Sequence, residues 1–208
     1  MDSEERWLTN WRDRKQELEK YGWLDCKFDY KFNSQGFRSP EFTNDPTIMF
    51  LGCSFTMGMG LPFEDLWTTL VTKELGLAQA NLAQAGTSAD TAFRMTLGWL
   101  DKIKPKILIY MQPPAARFEL VNEQVTRHYI SNDRDDIYSL WAEDHNNEYF
   151  NREKNRLAIE QLCSQQSVKL MVVNHEYLTG CSTDLARDLA HPGRKNSRLM
   201  ASWILDQL

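Results

Sequence analysis

From residue 47 onward, short apolar runs alternate with longer stretches in which apolar residues recur at every third or fourth position. The run Thr47-Ile48-Met49-Phe50-Leu51 is apolar and partly β-branched, the pattern of a buried strand. By the same reading, strands fall at 48–51, 80–83, 107–111 and 169–173, and helices at 63–75, 89–103, 152–165 and 194–207. This alternation predicts a mostly parallel sheet with helices on both faces. Ligands of such sheets gather beyond the strand C-termini. Ser54, Gly86, Gln112 and Asn174 each follow a predicted strand end.

Outside that pattern, residues 3–21 carry Trp7, Leu8, Trp11, Leu18 and Tyr21 among many charges, which predicts an amphipathic helix. Residues 22–45 are irregular and aromatic-rich, with a turn signal at Asn33-Ser34-Gln35-Gly36. Residues 113–150 are polar and without clean periodicity, and carry Arg127, His128, Tyr129, Trp141, His145, Tyr149 and Phe150. A connection of that length is either an insertion that walls or lids a site, or an ordered surface excursion. Residues 1–208 read as a single α/β domain, with 1–45 as its helical and aromatic lead-in.

Composition narrows the classes. Apolar residues make up 42% and aromatics 12% of the 208 residues, enough for a core. A net charge of −5 argues against general affinity for nucleic acid or anionic membrane. No apolar run approaches the roughly 18–20 residues of a membrane span, and the charged opening Met1-Asp2-Ser3-Glu4-Glu5-Arg6 lacks an apolar signal core. Cys26, Cys53, Cys163 and Cys181 are scattered without metal-ligand spacing, so no metal site is expected and a cytoplasmic, reducing setting fits.

The chemistry begins at Gly52-Cys53-Ser54-Phe55-Thr56. A serine on a strand-to-helix turn holds its hydroxyl at the sheet edge, beside free helix N–H groups that favour developing negative charge. Late in the chain, Asp188-Leu189-Ala190-His191 supplies an acid and a base that share one face of a single turn. Serine, aspartate, histidine is a workable triad in chain order. Other residues read as structural. Cys53 fits a buried core thiol better than a nucleophile. Gly52, Gly58 and Gly60 match no nucleotide-binding loop. His128, His145 and His175 read as solvated or hydrogen-bonded, and Trp67, Trp99 and Trp203 as packing residues. Arg38 reads as a salt-bridge partner, with a reach to the site as the alternative. Asn174 either lines the pocket or caps.

Three of these segments resemble the sequence blocks of the SGNH (GDSL-like) hydrolases. Gly52-Cys53-Ser54-Phe55-Thr56 is similar to the nucleophile block, with Cys53 where the family aspartate usually stands. Asn81-Leu82-Ala83-Gln84-Ala85-Gly86 resembles the second block, and Asp188-Leu189-Ala190-His191-Pro192 the final one. Asn33-x-x-Gly36-Phe37-Arg38 with Glu41-Phe42 looks like a lead-in of some bacterial and phage members. The resemblance implies a three-layer α/β/α, flavodoxin-like fold and a cofactor-free serine esterase or deacetylase. Ser54 would be the nucleophile, His191 the general base and Asp188 the residue orienting the imidazole. Backbone N–H groups of Ser54 and Gly86 would bind the oxyanion. The expected substrate is a small-molecule or carbohydrate ester, and the oligomeric state is not set. The third block departs from the family, with Met111-Gln112-Pro113-Pro114-Ala115-Ala116-Arg117-Phe118-Glu119 in place of an asparagine motif. Gln112 substitutes for that asparagine or only caps the strand. Arg117 brings a cation to the oxyanion or to an acidic substrate, or pairs with Glu119. The alternatives to an esterase are a catalytically weak or inactive binding protein with this fold, and an acyltransferase using the same triad.

Overall fold

The computed structural model describes residues 2–121, 125–129, 136–175 and 183–208. Cys181 and the side chains of Arg127, His128 and Tyr129 lie outside the described residues. The main sheet is parallel, with strand order β2-β1-β3-β6, where β1 is Thr47–Leu51, β2 Ala78–Asn81, β3 Ile107–Gln112 and β6 Lys169–Asn174. Because the sheet is covered on both faces, β1 and β3 are apolar along almost their whole length, β2 carries buried Gln79 and Asn81, and the pleat sorts the apolar side chains by parity. Ile48, Phe50, Ile109 and Met111 pack against α4 (Trp67–Leu75) and α8 (Arg194–Gln207) through Trp67, Val71, Met200 and Ile204. Met49, Leu51, Leu108 and Tyr110 face α5 (Ala89–Ile103) and α7 (His145–Gln165) through Met95, Leu100, Ile159 and Cys163. Side chains buried this fully contribute about 1.5–3 kcal/mol each by leaving water, so the strands have no alternative register that keeps both layers. The expected three-layer α/β/α architecture is what the chain forms.

Chain order runs outward from β1 to β2 on one side and returns to β3 on the other. The C-terminal ends of β1 and β3 therefore flank the reversal point of the sheet, where open α/β folds place their ligands. A third apolar cluster lies beside this edge. Leu18 and Trp23 of the N-terminal segment pack with Leu61 and Leu66 and with Ala186 and Leu189.

Several expectations are corrected. The helix expected over 3–21 breaks at Arg14 into α1 (Glu4–Asp13) and α2 (Lys15–Lys20). The helix expected over 63–75 is a short 3₁₀ turn, Phe63–Asp65, followed by α4, because Leu66 is extended at φ −68°, ψ 135°. That conformation buries Leu66 completely, with Gly58 against its side chain. Strand β2 lies two residues earlier than the predicted 80–83. Asn81 ends it by accepting the Ala83 N–H at 3.1 Å and donating to the Thr56 carbonyl at 2.9 Å, side-chain bonds that periodicity does not reveal. Helix α7 begins at His145 instead of 152, capped by Asp144, and its exposed Tyr149 and Phe150 supply no apolar stripe to announce the first turns. Segment 113–150 folds as an antiparallel hairpin of β4 (Arg117–Val121) and β5 (Val125–Tyr129), then α6 (Asp136–Ala142) and the start of α7. Among the described residues no helix is long and apolar enough to cross a membrane.

Candidate active site

Strand β1 ends at Leu51, and the chain turns through Gly52 into α3 (Ser54–Met57), with Cys53 as its N-cap. A Cβ on Gly52 would run into the Thr56 hydroxyl and approach the Met111 carbonyl at 3.2 Å, so glycine lets the turn close onto β3. Ser54 is the first residue of the short helix, half-buried, while Cys53 beneath it is 1% exposed. The Thr56 and Met57 N–H groups bond back to the Cys53 carbonyl at 3.1 and 2.9 Å.

The opposite wall is the loop between Leu185 and Pro192, which bridge each other as an isolated β pair. Ala186 N–H donates to the His191 carbonyl at 2.8 Å, and Leu189 adopts a left-handed φ of 53°. Asp188 Oδ1 accepts the N–H groups of Ala190 and His191 at 3.1 and 3.0 Å, while Oδ2 lies 2.5 Å from His191 Nδ1. His191 Nε2 is 2.9 Å from Ser54 Oγ. With Asp188 ionised, Nδ1 carries the imidazole proton and Nε2 is left to accept from the serine hydroxyl. Burial pushes the Asp188 carboxyl up, but its hydrogen bond and charge interaction with His191 and the two backbone donors prevail and hold it below the usual carboxylate range. Asp188 is 1% exposed, and the His191 side chain 21%. Phe55 packs edge-on to the His191 ring at 5.6 Å and stacks on His175 at 6.3 Å, so the imidazole has an apolar neighbour as well as two polar ones.

No protein-family model matches the chain, and no curated protein matches it. Solved structures do. A carbohydrate esterase, reported to show divergent catalytic and non-catalytic binding functions at its active site, aligns with a TM-score of 0.50 and 12% identity, covering 78% of this chain and 64% of that one. The two chains share a three-layer α/β/α fold, the architecture implied by the sequence blocks that resemble the SGNH hydrolases. The esterase EstA from Pseudoalteromonas sp. aligns at 17% identity, with 78% and 96% of the two chains covered and a TM-score of 0.48. A member of the lipolytic G-D-S-L family from Veillonella parvula aligns at 15% identity, with 77% and 96% covered and a TM-score of 0.41.

In this fold, the turn after β2 adjoins the serine turn. Gly86 sits there at φ 71°, and Thr87 Oγ1 donates to the Gly52 carbonyl at 2.9 Å. Gln112 ends β3, paired in register with Asn174 at the end of β6, so both expected residues occupy the same sheet edge as Ser54. Gln112 is buried, and its Nε2 has no hydrogen-bond partner among the described residues. Arg117 opens β4, and its Nη1 donates to the Thr87 carbonyl at 3.3 Å. It does not pair with Glu119, whose carboxylate instead accepts from Arg94 Nε at 3.0 Å and from Thr91. Both side chains leave the same face of β4, and Glu119 is held instead by Arg94 and Thr91 of α5. Arg38 is corrected too. Fully buried, it meets no carboxylate among the described residues and donates to the carbonyls of Met57, Gly58 and Leu61, holding the far end of α3.

Sequence reasoning missed the residues that seat the Asp188 loop. Arg187 N–H donates to the Gly60 carbonyl at 3.0 Å, and the Arg187 guanidinium pairs with buried Asp2 at 2.8 Å. Tyr30 OH donates to the same Asp2 oxygen at 2.8 Å and accepts the Gly60 N–H at 2.7 Å. Gly60, at φ 78°, is where the two loops touch. A Cβ there would stand 2.7 Å from Ala186 Cβ and 3.2 Å from Asp188 Oδ1. The one signal present in the sequence was an arginine next to Asp188.

Proposed function

We propose that this protein is a serine hydrolase of small-molecule or carbohydrate esters, with Ser54 as nucleophile, His191 as general base and Asp188 as the residue that orients the imidazole. The observation that carries the reading is the continuous chain from Asp188 Oδ2 through His191 to Ser54 Oγ, with spacings of 2.5 and 2.9 Å, at the reversal point of the sheet. In the proposed reaction Ser54 Oγ attacks the ester carbonyl as its proton passes to His191 Nε2. The imidazolium returns that proton to the departing alkoxide, leaving an acyl-serine. Water, deprotonated by His191, then releases the carboxylic acid and restores the serine. The Ser54 and Gly86 N–H groups and the unspent Gln112 carboxamide are the proposed oxyanion donors, each worth about 10²–10³ in rate. The buried, unpartnered Nε2 of Gln112 supports that role, because leaving such a donor unused costs stability with no return in folding. Asn174 is proposed as a pocket residue. Free thiols at Cys26, Cys53 and Cys163 support a cytoplasmic setting.

Hydrolysis of p-nitrophenyl acetate tests the reading. Ser54→Ala and His191→Ala are expected to lose about 10⁴–10⁶ of turnover while remaining folded. A fluorophosphonate probe is expected to label the parent protein once, at Ser54. Undiminished hydrolysis in both variants refutes the mechanism. Absence of labelling in folded parent protein favours a binding protein with this fold, the reading that the altered third block otherwise supports.

A further inference from the structure

Around Arg117 the neighbouring described residues of β4 and α6 are tied down. Tyr138 OH donates to the Ala116 carbonyl at 3.5 Å, and Phe118 packs against Trp141 with ring centroids 4.7 Å apart. The Glu119 N–H donates to Asp90 at 3.0 Å, and its carboxylate, 1% exposed, is neutralised by Arg94. Asp90 is itself fixed by Asn151 and Asn155 at 2.9 and 2.8 Å. Arg117 differs. Its half-buried guanidinium donates once, to the neutral carbonyl of Thr87, and meets no carboxylate among the described residues. Thr87 follows Gly86 directly and binds the Gly52 carbonyl, two residues before Ser54. The β4–β5 hairpin therefore delivers a cation that no carboxylate among the described residues compensates, with most of its planar fork of donors unspent among them, beside the serine turn.

We infer that Arg117 is an anion-binding subsite of this site, and that the ester it takes carries a carboxylate or comparable anionic group. The inference rests on the ester-hydrolase reading and names its substrate class. A guanidinium fork recognises such a group through paired charge-assisted hydrogen bonds, and Thr87 holds the fork in place before the substrate arrives.

Two substrate pairs test this from both sides of the scissile bond. One is 4-acetoxybenzoate against its methyl ester, and the other is the mono-4-nitrophenyl ester of adipate against 4-nitrophenyl hexanoate. In Arg117→Gln, kcat/KM for the anionic member of at least one pair is expected to fall about 10- to 100-fold relative to the neutral member, the loss of a charge-assisted bond. Arg117→Lys is expected to recover part of the preference. Binding of adipate and 4-hydroxybenzoate, measured by calorimetry on Ser54→Ala with and without Arg117→Gln, is expected to weaken in parallel. Unchanged ratios in both pairs with unchanged carboxylate binding overturn the inference and leave the hydrolase reading intact. Ser54-independent hydrolysis together with Arg117-dependent carboxylate binding overturns the hydrolase reading and keeps the anion site. Thermal melting of each variant separates these outcomes from misfolding.

Discussion

One carboxylate does two jobs at Asp188. Its Oδ1 closes the turn that carries His191, and its Oδ2 faces the imidazole. Asp188→Asn keeps the shape but favours the wrong tautomer, so turnover is expected to drop about 10⁴-fold, read from initial rates of ester hydrolysis. The same substitution has a pH signature. Because the folded carboxyl is held below its ordinary value of about 3.9, it stabilises the fold above that range. The contribution is lost as pH falls through the depressed value. Melting temperatures of the parent and Asp188→Asn are therefore expected to differ most near neutrality and to converge in strong acid. Gly60 gives a second prediction at this scale. Gly60→Ala must place a Cβ against Ala186 and Asp188 at a left-handed φ, whereas Gly76→Ala, at φ 63°, meets nothing within 4 Å. Both variants carry backbone strain of about 1–2 kcal/mol. Only Gly60→Ala is expected to lower the rate of fluorophosphonate labelling, because only it displaces the Asp188 loop.

At the level of elements, the half-buried Asp90 ties the β4–β5 hairpin to the main body, beside the contacts of Glu119 with Arg94 and Thr91. Asp90 accepts from the Glu119 backbone, from Asn151 and Asn155 of α7, and from Ser88, whose hydroxyl also caps α5. Asp90→Ala leaves these donors unpaired, among them those of buried Asn151 and Asn155, at an expected cost of about 1–3 kcal/mol. Hydrogen exchange at Glu119 is expected to accelerate more than exchange in β3, which checks that the hairpin loosens ahead of the sheet. The hairpin was illegible in the sequence because its strands obey no clean alternation. Phe118 is buried while Leu120 and Val121 are exposed. Strands β1 and β3 were legible because two helical layers demand apolar residues at nearly every position, whereas β2, with buried Gln79 and Asn81, was read two residues late.

Across the whole molecule, the first thirty or so residues act on the last thirty. Asp2, itself held by Tyr30, grips Arg187, Arg6 Nε donates to the Asp188 carbonyl at 3.2 Å, and Trp23 Nε1 donates to the Leu185 carbonyl at 2.7 Å. Burial, and then the charge on Asp2, push the Tyr30 phenol above its usual range, so it stays a donor. Arg187→Ala strands Asp2 without a cation and is expected to cost about 3–5 kcal/mol in urea unfolding, with Arg187→Lys recovering part of it. The sequence by itself determined the alternation of strands and helices, the positions of Ser54 and of the Asp188–His191 pair, and the sheet edge to which they belong. Local periodicity and turn chemistry write those features directly into neighbouring residues. Only the tertiary structure decided that Arg117 leaves Glu119 to Arg94, that Arg38 serves carbonyls, and that Asp2 supports a loop at the other end of the chain. Pairings of that kind depend on which distant side chains burial brings together, and no spacing along the chain encodes them.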